Sequence, residues 1–163
     1  MIPNSNSFPY SKLISDFETL RAFTLQLISN VDGEQAACIP SGFRNNLQWQ
    51  LGHLLFAQSA SLYTWSGNPA PYGHGYGDYF GIGSSPTNMD SLAPDWDELM
   101  AAAKKHSRGL FEKISDRLDQ KLHKPYKFMN IKMTTTGETL PFLLAHEGEH
   151  IAHIKRLIKV TMR

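Results

Sequence analysis

The sequence predicts an all-α protein, a four-helix bundle with long connections between helices two and three and between helices three and four. Three observations lead there. Apolar residues recur at three- and four-residue steps in separate long stretches. Segments rich in Gly, Pro and Ser divide those stretches. A length of 163 residues suits one domain with a proper core, residues 1–163, and is short for two.

The first predicted helix runs from Ser11 to Asn30, with Leu13, Phe17, Leu20, Phe23, Leu27 and Ile28 on its apolar steps, and stops near Asp32-Gly33. The second covers Asn45 to Trp65, carrying Leu47, Leu51, Leu54, Leu55, Leu62 and Trp65, and Ser66-Gly67-Asn68-Pro69 ends it. Its apolar residues lie on more than one side, so it is expected to touch two neighbours. The third runs from Pro94 to Leu118, where Asp95 or Asp97 offsets the exposed amides of the first turn. The fourth spans Leu140 to Val160.

Between the second and third helices lies NPAPYGHGYGDYFGIGSSPTNMDSL, an irregular loop whose length suits a lid or a substrate contact. It has no Gly-Lys-Ser/Thr element and is not a phosphate loop. Its Tyr72, Tyr76 and Tyr79 are better explained by packing the loop down than by lining a pocket. The segment HKPYKFMNIKMTTTGET holds an alternating run from Lys127 to Thr134, read as a strand-like arm without a sheet partner.

The charge balance, 16 basic against 15 acidic residues, leaves no basic stripe for nucleic acid. Lys104-Lys105 and the group Lys155, Arg156, Lys159 and Arg163 read as solvated helix faces. Cys38 is the single cysteine, so no intrachain disulfide forms; with no His beside it in sequence, it is expected to be a bland, buried or half-buried thiol. No signal-peptide pattern opens the sequence and no apolar run reaches membrane-spanning length, so a cytoplasmic protein is expected.

Chemistry concentrates in the histidines. In LLAHEGEHIAHIKRL, His146 and His150 are four residues apart and share a helix face. At about 100° per residue His150 lies about 40° from His146 and His153 about 20° to the other side, with Leu157 inside the same arc. A lone inward histidine is usually a packed core residue. Three are harder to explain so, because each ring needs partners for two nitrogens and a metal satisfies one directly. His53, in QWQLGHLLFAQ, lies beside Ala57 and Ala60 and near Gln50; its pattern is equally consistent with a ligand and with a satisfied core histidine. As a third ligand it would complete a set that leaves coordination positions open, as reactive rather than structural sites do.

His146-Glu147-Gly148-Glu149-His150 also matches the H-E-x-x-H signature of zinc proteases. The extended form of that motif would need Gly at 153 and His at 156, where this sequence has His153 and Arg156, so the match is read as coincidence. His74 sits among the loop tyrosines, from where a lid would bring it to the site, while His106 and His123 are read as surface residues. A ferritin-type iron site is disfavoured, since no Glu-x-x-His pair appears on two helices.

PSGFRNNLQWQLGHLLFAQ followed by LLAHEGEHIAHIKRLIK resembles the DinB-like superfamily of small metal-binding four-helix bundles, over most of the chain in helix order and length. The resemblance implies that one His of the second helix and two of the fourth hold a divalent ion, often zinc or nickel; the matching residues here are His53, His146 and His150. His153 has no matching ligand role. The resemblance also implies that thiol-dependent transferases and proposed metal-dependent hydrolases are found among relatives, and that homodimers are common.

The leading expectation is metal-assisted transfer of a low-molecular-weight thiol to a small electrophile, because coordination favours the thiolate at neutral pH. The alternative enzyme is a metal-dependent hydrolase with hydroxide as nucleophile. It would need a base, from Glu147 or Glu149; Glu149, about 60° from His146 on the His153 side, flanks the cluster more closely and is the candidate catalytic residue. The third reading is a metal- or small-molecule-binding module without turnover.

Overall fold

In a computed structural model the chain is mostly helical with one two-stranded sheet, and the structure describes residues 7–72 and 75–162. The helices are α1 (Ser7–Leu27), α2 (Gly33–Ala37), α3 (Leu47–Leu62), α4 (Tyr76–Phe80), α5 (Trp96–Ser107), α6 (Leu110–Ile114) and α7 (Leu140–Thr161). The strands β1 (Lys121–Phe128) and β2 (Ile131–Thr135) lie between α6 and α7. Among the longer helices, α1 packs on α7, α7 on α3, α3 on α5, and α5 on α1.

Local chemistry sets the starts. Asn46 caps α3 by accepting from the Trp49 amide at 2.8 Å. Asp95 caps α5 in a reciprocal box with Glu98, so of the two acidic residues considered at this start it is Asp95 that takes the cap. α3 is the central element. All of its residues but Gln48 and Phe56 are buried, and it meets α2, α4, α5 and α7. Leu51, Leu54 and Leu55 join Ile28, Phe80, Trp96, Leu99 and Ile154 in one apolar cluster. Leu62 joins Ile14, Phe17, Leu110, Ile114, Leu140 and Leu143 in another.

Three expectations are corrected. The helix expected over 94–118 is interrupted: Arg108 is extended and Gly109 takes φ +60°, a left-handed conformation suited to glycine. The freed Leu110 amide donates to Glu18 on α1 at 2.7 Å. The arm expected to lack a partner is a hairpin, with β1 antiparallel to β2 and Tyr126 opposite Met133, Lys127 opposite Lys132, and Phe128 opposite Ile131. The single run 127–134 spans the turn at Met129-Asn130, so its alternation belongs to two half-strands folded on one another. Pro125, which cannot donate to a ladder, falls where the register shifts, between Lys121 and Tyr126. Cys38 is exposed, because it follows the short α2 in an extended connection.

On α1 the buried line is Ile14, Phe17, Arg21 and Thr24, continued by Ile28 just past its end, while Phe23 of the expected apolar face is 40% exposed. Two polar residues occupy core positions for a reason found on α7. No helix among the described residues is long and apolar enough to cross a membrane.

Candidate metal centre

The buried α3 presents His53 toward α7, and α7 presents His146 and His150 back. One ring nitrogen from each of the three can be chosen so that all lie within 4.8 Å of one another. His53 Nε2 and His146 Nε2 are 3.2 Å apart. The His53 ring centroid is 5.1 Å from that of His146 and 4.9 Å from that of His150.

Neighbouring groups fix the orientation of two of the rings. His53 Nδ1 is 2.6 Å from the Phe80 carbonyl oxygen. A carbonyl only accepts, so Nδ1 carries the proton and Nε2 keeps its lone pair. His150 Nδ1 is 2.6 Å from Gln50 Oε1, which assigns the same tautomer when the amide oxygen faces the ring. Trp49 stacks on His53 at 4.6 Å and 9°. Gly52 makes room for the carbonyl's owner: a Cβ there would run into the Phe80 ring. The residue before His53 therefore lets the Phe80 ring come close to the helix, with its carbonyl at the imidazole.

The donor set could hold a metal ion. Two nitrogens bound at about 2.0–2.1 Å in tetrahedral geometry stand about 3.3 Å apart, close to the 3.2 Å between His53 and His146. The rings are also held neutral. Burial, then the neighbouring His53, lowers His146 from 6.5 to about 4. Burial, then His146 and His53, lowers His150 to about 3. Burial lowers His53 too, although its bond to Phe80 opposes the shift.

Between the two α7 histidines in sequence, Glu147 turns the other way into the core. Its two carboxylate oxygens accept from Arg21 Nε and Nη2 at 2.8 Å each, and Thr24 Oγ1 adds a 2.7 Å bond. Arg21 also donates to Gln58 Oε1 at 3.0 Å. Burial alone would lower the Arg21 pKa, but the charge and hydrogen bonds of Glu147 outweigh it and the net direction is upward. The side chains of Arg21 and Glu147 are 0% and 1% exposed. The H-E-x-x-H string thus lacks the protease arrangement, since its Glu is committed to an arginine in the core.

Glu149 is exposed on α7. His153 is exposed one turn beyond His150, with its ring 6.1 Å from that of His150; it lines a hollow with Arg44, Asn45, Gln50 and Arg156. His74 lies outside the described residues. His123 is exposed, whereas His106 is half-buried against Tyr72, edge to face at 4.8 Å. Tyr72 and Tyr76 stack on one another at 5.3 Å and pack the loop down, and Tyr79 bonds Asp90 at 2.8 Å.

Aromatic residues near the histidines come from the hairpin as well as from the histidine-bearing segments. Tyr126 and Phe128 of the hairpin, Phe142 of α7 and Trp65 line a cavity with His53 and His146. For Tyr126 and Phe128 the sequence signal is the alternation around Lys127, which belongs to two paired strands.

Fold and site together define a mostly helical protein with a three-histidine cluster able to hold a metal ion. The DinB superfamily profile matches residues 16–154, and the chain belongs to that superfamily. No curated protein matches the chain.

Proposed function

We propose that His53, His146 and His150 hold one divalent ion, zinc or nickel, and that the centre activates a low-molecular-weight thiol for transfer to a small electrophile. The ring of α1, α7, α3 and α5 is the four-helix bundle that frames it. The observation carrying the proposal is the convergence of three neutral imidazoles, two of them fixed by bonds to the opposite nitrogen. An ion held by three neutral ligands keeps its full charge and would favour the ionised form of an incoming thiol. The protein's part is to hold the rings, through Phe80, Gln50 and Trp49, and to border the centre with an apolar cavity for the acceptor.

A hydrolytic reading needs a base. Glu147 is bound to Arg21, which leaves Glu149, exposed on the same helix. Ester turnover without thiol, lost in Glu149→Gln, would favour that reading, and metal binding without turnover of either kind would favour a binding module.

The test is metal content of untagged protein beside His53→Ala, His146→Ala and His150→Ala. About one ion per chain, lost in the variants, is expected for a three-ligand site. Thiol donors with an electrophilic acceptor should then give thioether at a rate that follows metal occupancy. Failure to take up added zinc or nickel overturns the metal assignment, and occupancy without thiol turnover overturns the transfer step.

A further inference from the structure

The segment between α2 and α3 is tied down at both ends. The Phe43 amide donates to the Pro40 carbonyl at 3.0 Å, across a turn in which Gly42 takes φ +84°. The Asn46 side chain donates to the Ala37 carbonyl at 2.9 Å and accepts from the Trp49 amide. Between those ties stand Arg44 and Asn45. They share a hollow of about 370 Å³ with His153 and Arg156 of α7; Phe43 lies beside them, and the buried Gln50 and Leu157 form its base. Arg44, His153 and Arg156 are all exposed. No Asp or Glu lines the hollow, and neither arginine has an ion pair among the described residues.

We propose that this hollow binds the oxyanion group, carboxylate or phosphate, of a small organic molecule, held between the guanidiniums of Arg44 and Arg156. Charge, shape and size each restrict the ligand. Two cations brought to one hollow without a carboxylate repel one another, and an anion between them offsets that repulsion. The planar fork of a guanidinium matches the paired oxygens of a carboxylate or phosphate. His153 and Asn45 add neutral hydrogen-bonding groups to the same wall. The volume falls within the range of about 300–1,000 Å³ usual for small-molecule sites, so the hollow takes more than the oxyanion alone. Phe43, half-buried, offers a flat apolar surface to the rest of the ligand. Gln50 separates the hollow from the histidine cluster, since it bonds His150 Nδ1 while an ion would be held through the other ring nitrogen. The inference therefore does not rest on the metal or thiol-transfer reading.

The experiment is a calorimetric titration of phenyl phosphate, benzoate and inorganic phosphate into metal-free and zinc-loaded protein at low ionic strength, with zinc per chain measured in the same samples. Saturable binding of phenyl phosphate or benzoate is expected in both forms, and the tighter of the two identifies the oxyanion. Inorganic phosphate should bind more weakly than phenyl phosphate, because it leaves Phe43 uncovered; equal affinity removes Phe43 from the site. Arg44→Gln and Arg156→Gln should each weaken binding about tenfold, the effect of losing one hydrogen bond to a charged group, with zinc content and melting temperature unchanged. Binding of neither organic probe overturns the proposal, and so does binding that both variants leave intact. Affinity confined to the zinc-loaded form places the anion on the ion and overturns the hollow while supporting the metal reading. Protein that binds the probes but takes up no zinc loses the metal reading alone.

Discussion

His53 shows what a single position discloses in sequence and what it withholds. Its helix is apolar on more than one side, so angular position alone did not distinguish a ligand from a packed histidine. The contacts that place it in the three-histidine cluster are the Phe80 carbonyl, from the end of α4 27 positions away, and two α7 rings. His146 and His150 were legible because a four-residue spacing on a helix fixes their relation whatever the rest of the fold does. The depressed pKa values have a consequence for metal-free protein. Unfolded imidazoles take up protons as pH falls through 6.5, whereas folded His146 and His150 wait until about 4 and about 3. Between those limits the unfolded chain binds more protons, so stability falls as pH is lowered from about 6.5. Urea midpoints of apo protein should drop from pH 7.5 to pH 5, and His150→Gln should flatten that slope. An equal slope in the variant would remove His150 from the account.

Among the elements, α7 has the strictest orientation. One face meets α3 through the histidines, while Glu147 meets α1 through Arg21. The helix cannot rotate about its axis without breaking the buried pair or separating the clustered histidine rings. Periodicity predicted the four long helices but missed Arg21 and Thr24 as core residues, because a paired charge is invisible to a hydrophobic pattern. It also carried the third helix through Gly109, where a left-handed glycine ends the run, and read two half-strands as one arm. Arg21→Ala or Glu147→Ala should destabilise the protein by about 3–5 kcal/mol, since each leaves a buried charge unmatched. Arg21→Met with Glu147→Leu should recover much of that loss, giving strong coupling in a double-mutant cycle. Additive losses would show that the pair does not act as a unit.

At the scale of the whole molecule, the helices and the histidine-bearing stretches could be read from sequence, and the cavity could not. Its walls come from α3, α7, the hairpin and the loop residue Ile82, which only the tertiary fold assembles. The same long-range assembly gives the centre a second role. His53 and His146 are 93 positions apart, so an ion shared between them would be a reversible cross-link closing a very large loop. The unfolded chain does not preform such a site, so binding free energy adds to folding free energy. Free ion at 100 times its dissociation constant would add about 2.7 kcal/mol. Melting temperature should rise with zinc activity and fall on addition of a chelator, while His53→Ala melts at one temperature throughout. Ambient metal supply would then set how much of the protein survives heat or proteolysis, so that its lifetime reports the ion before any reaction does.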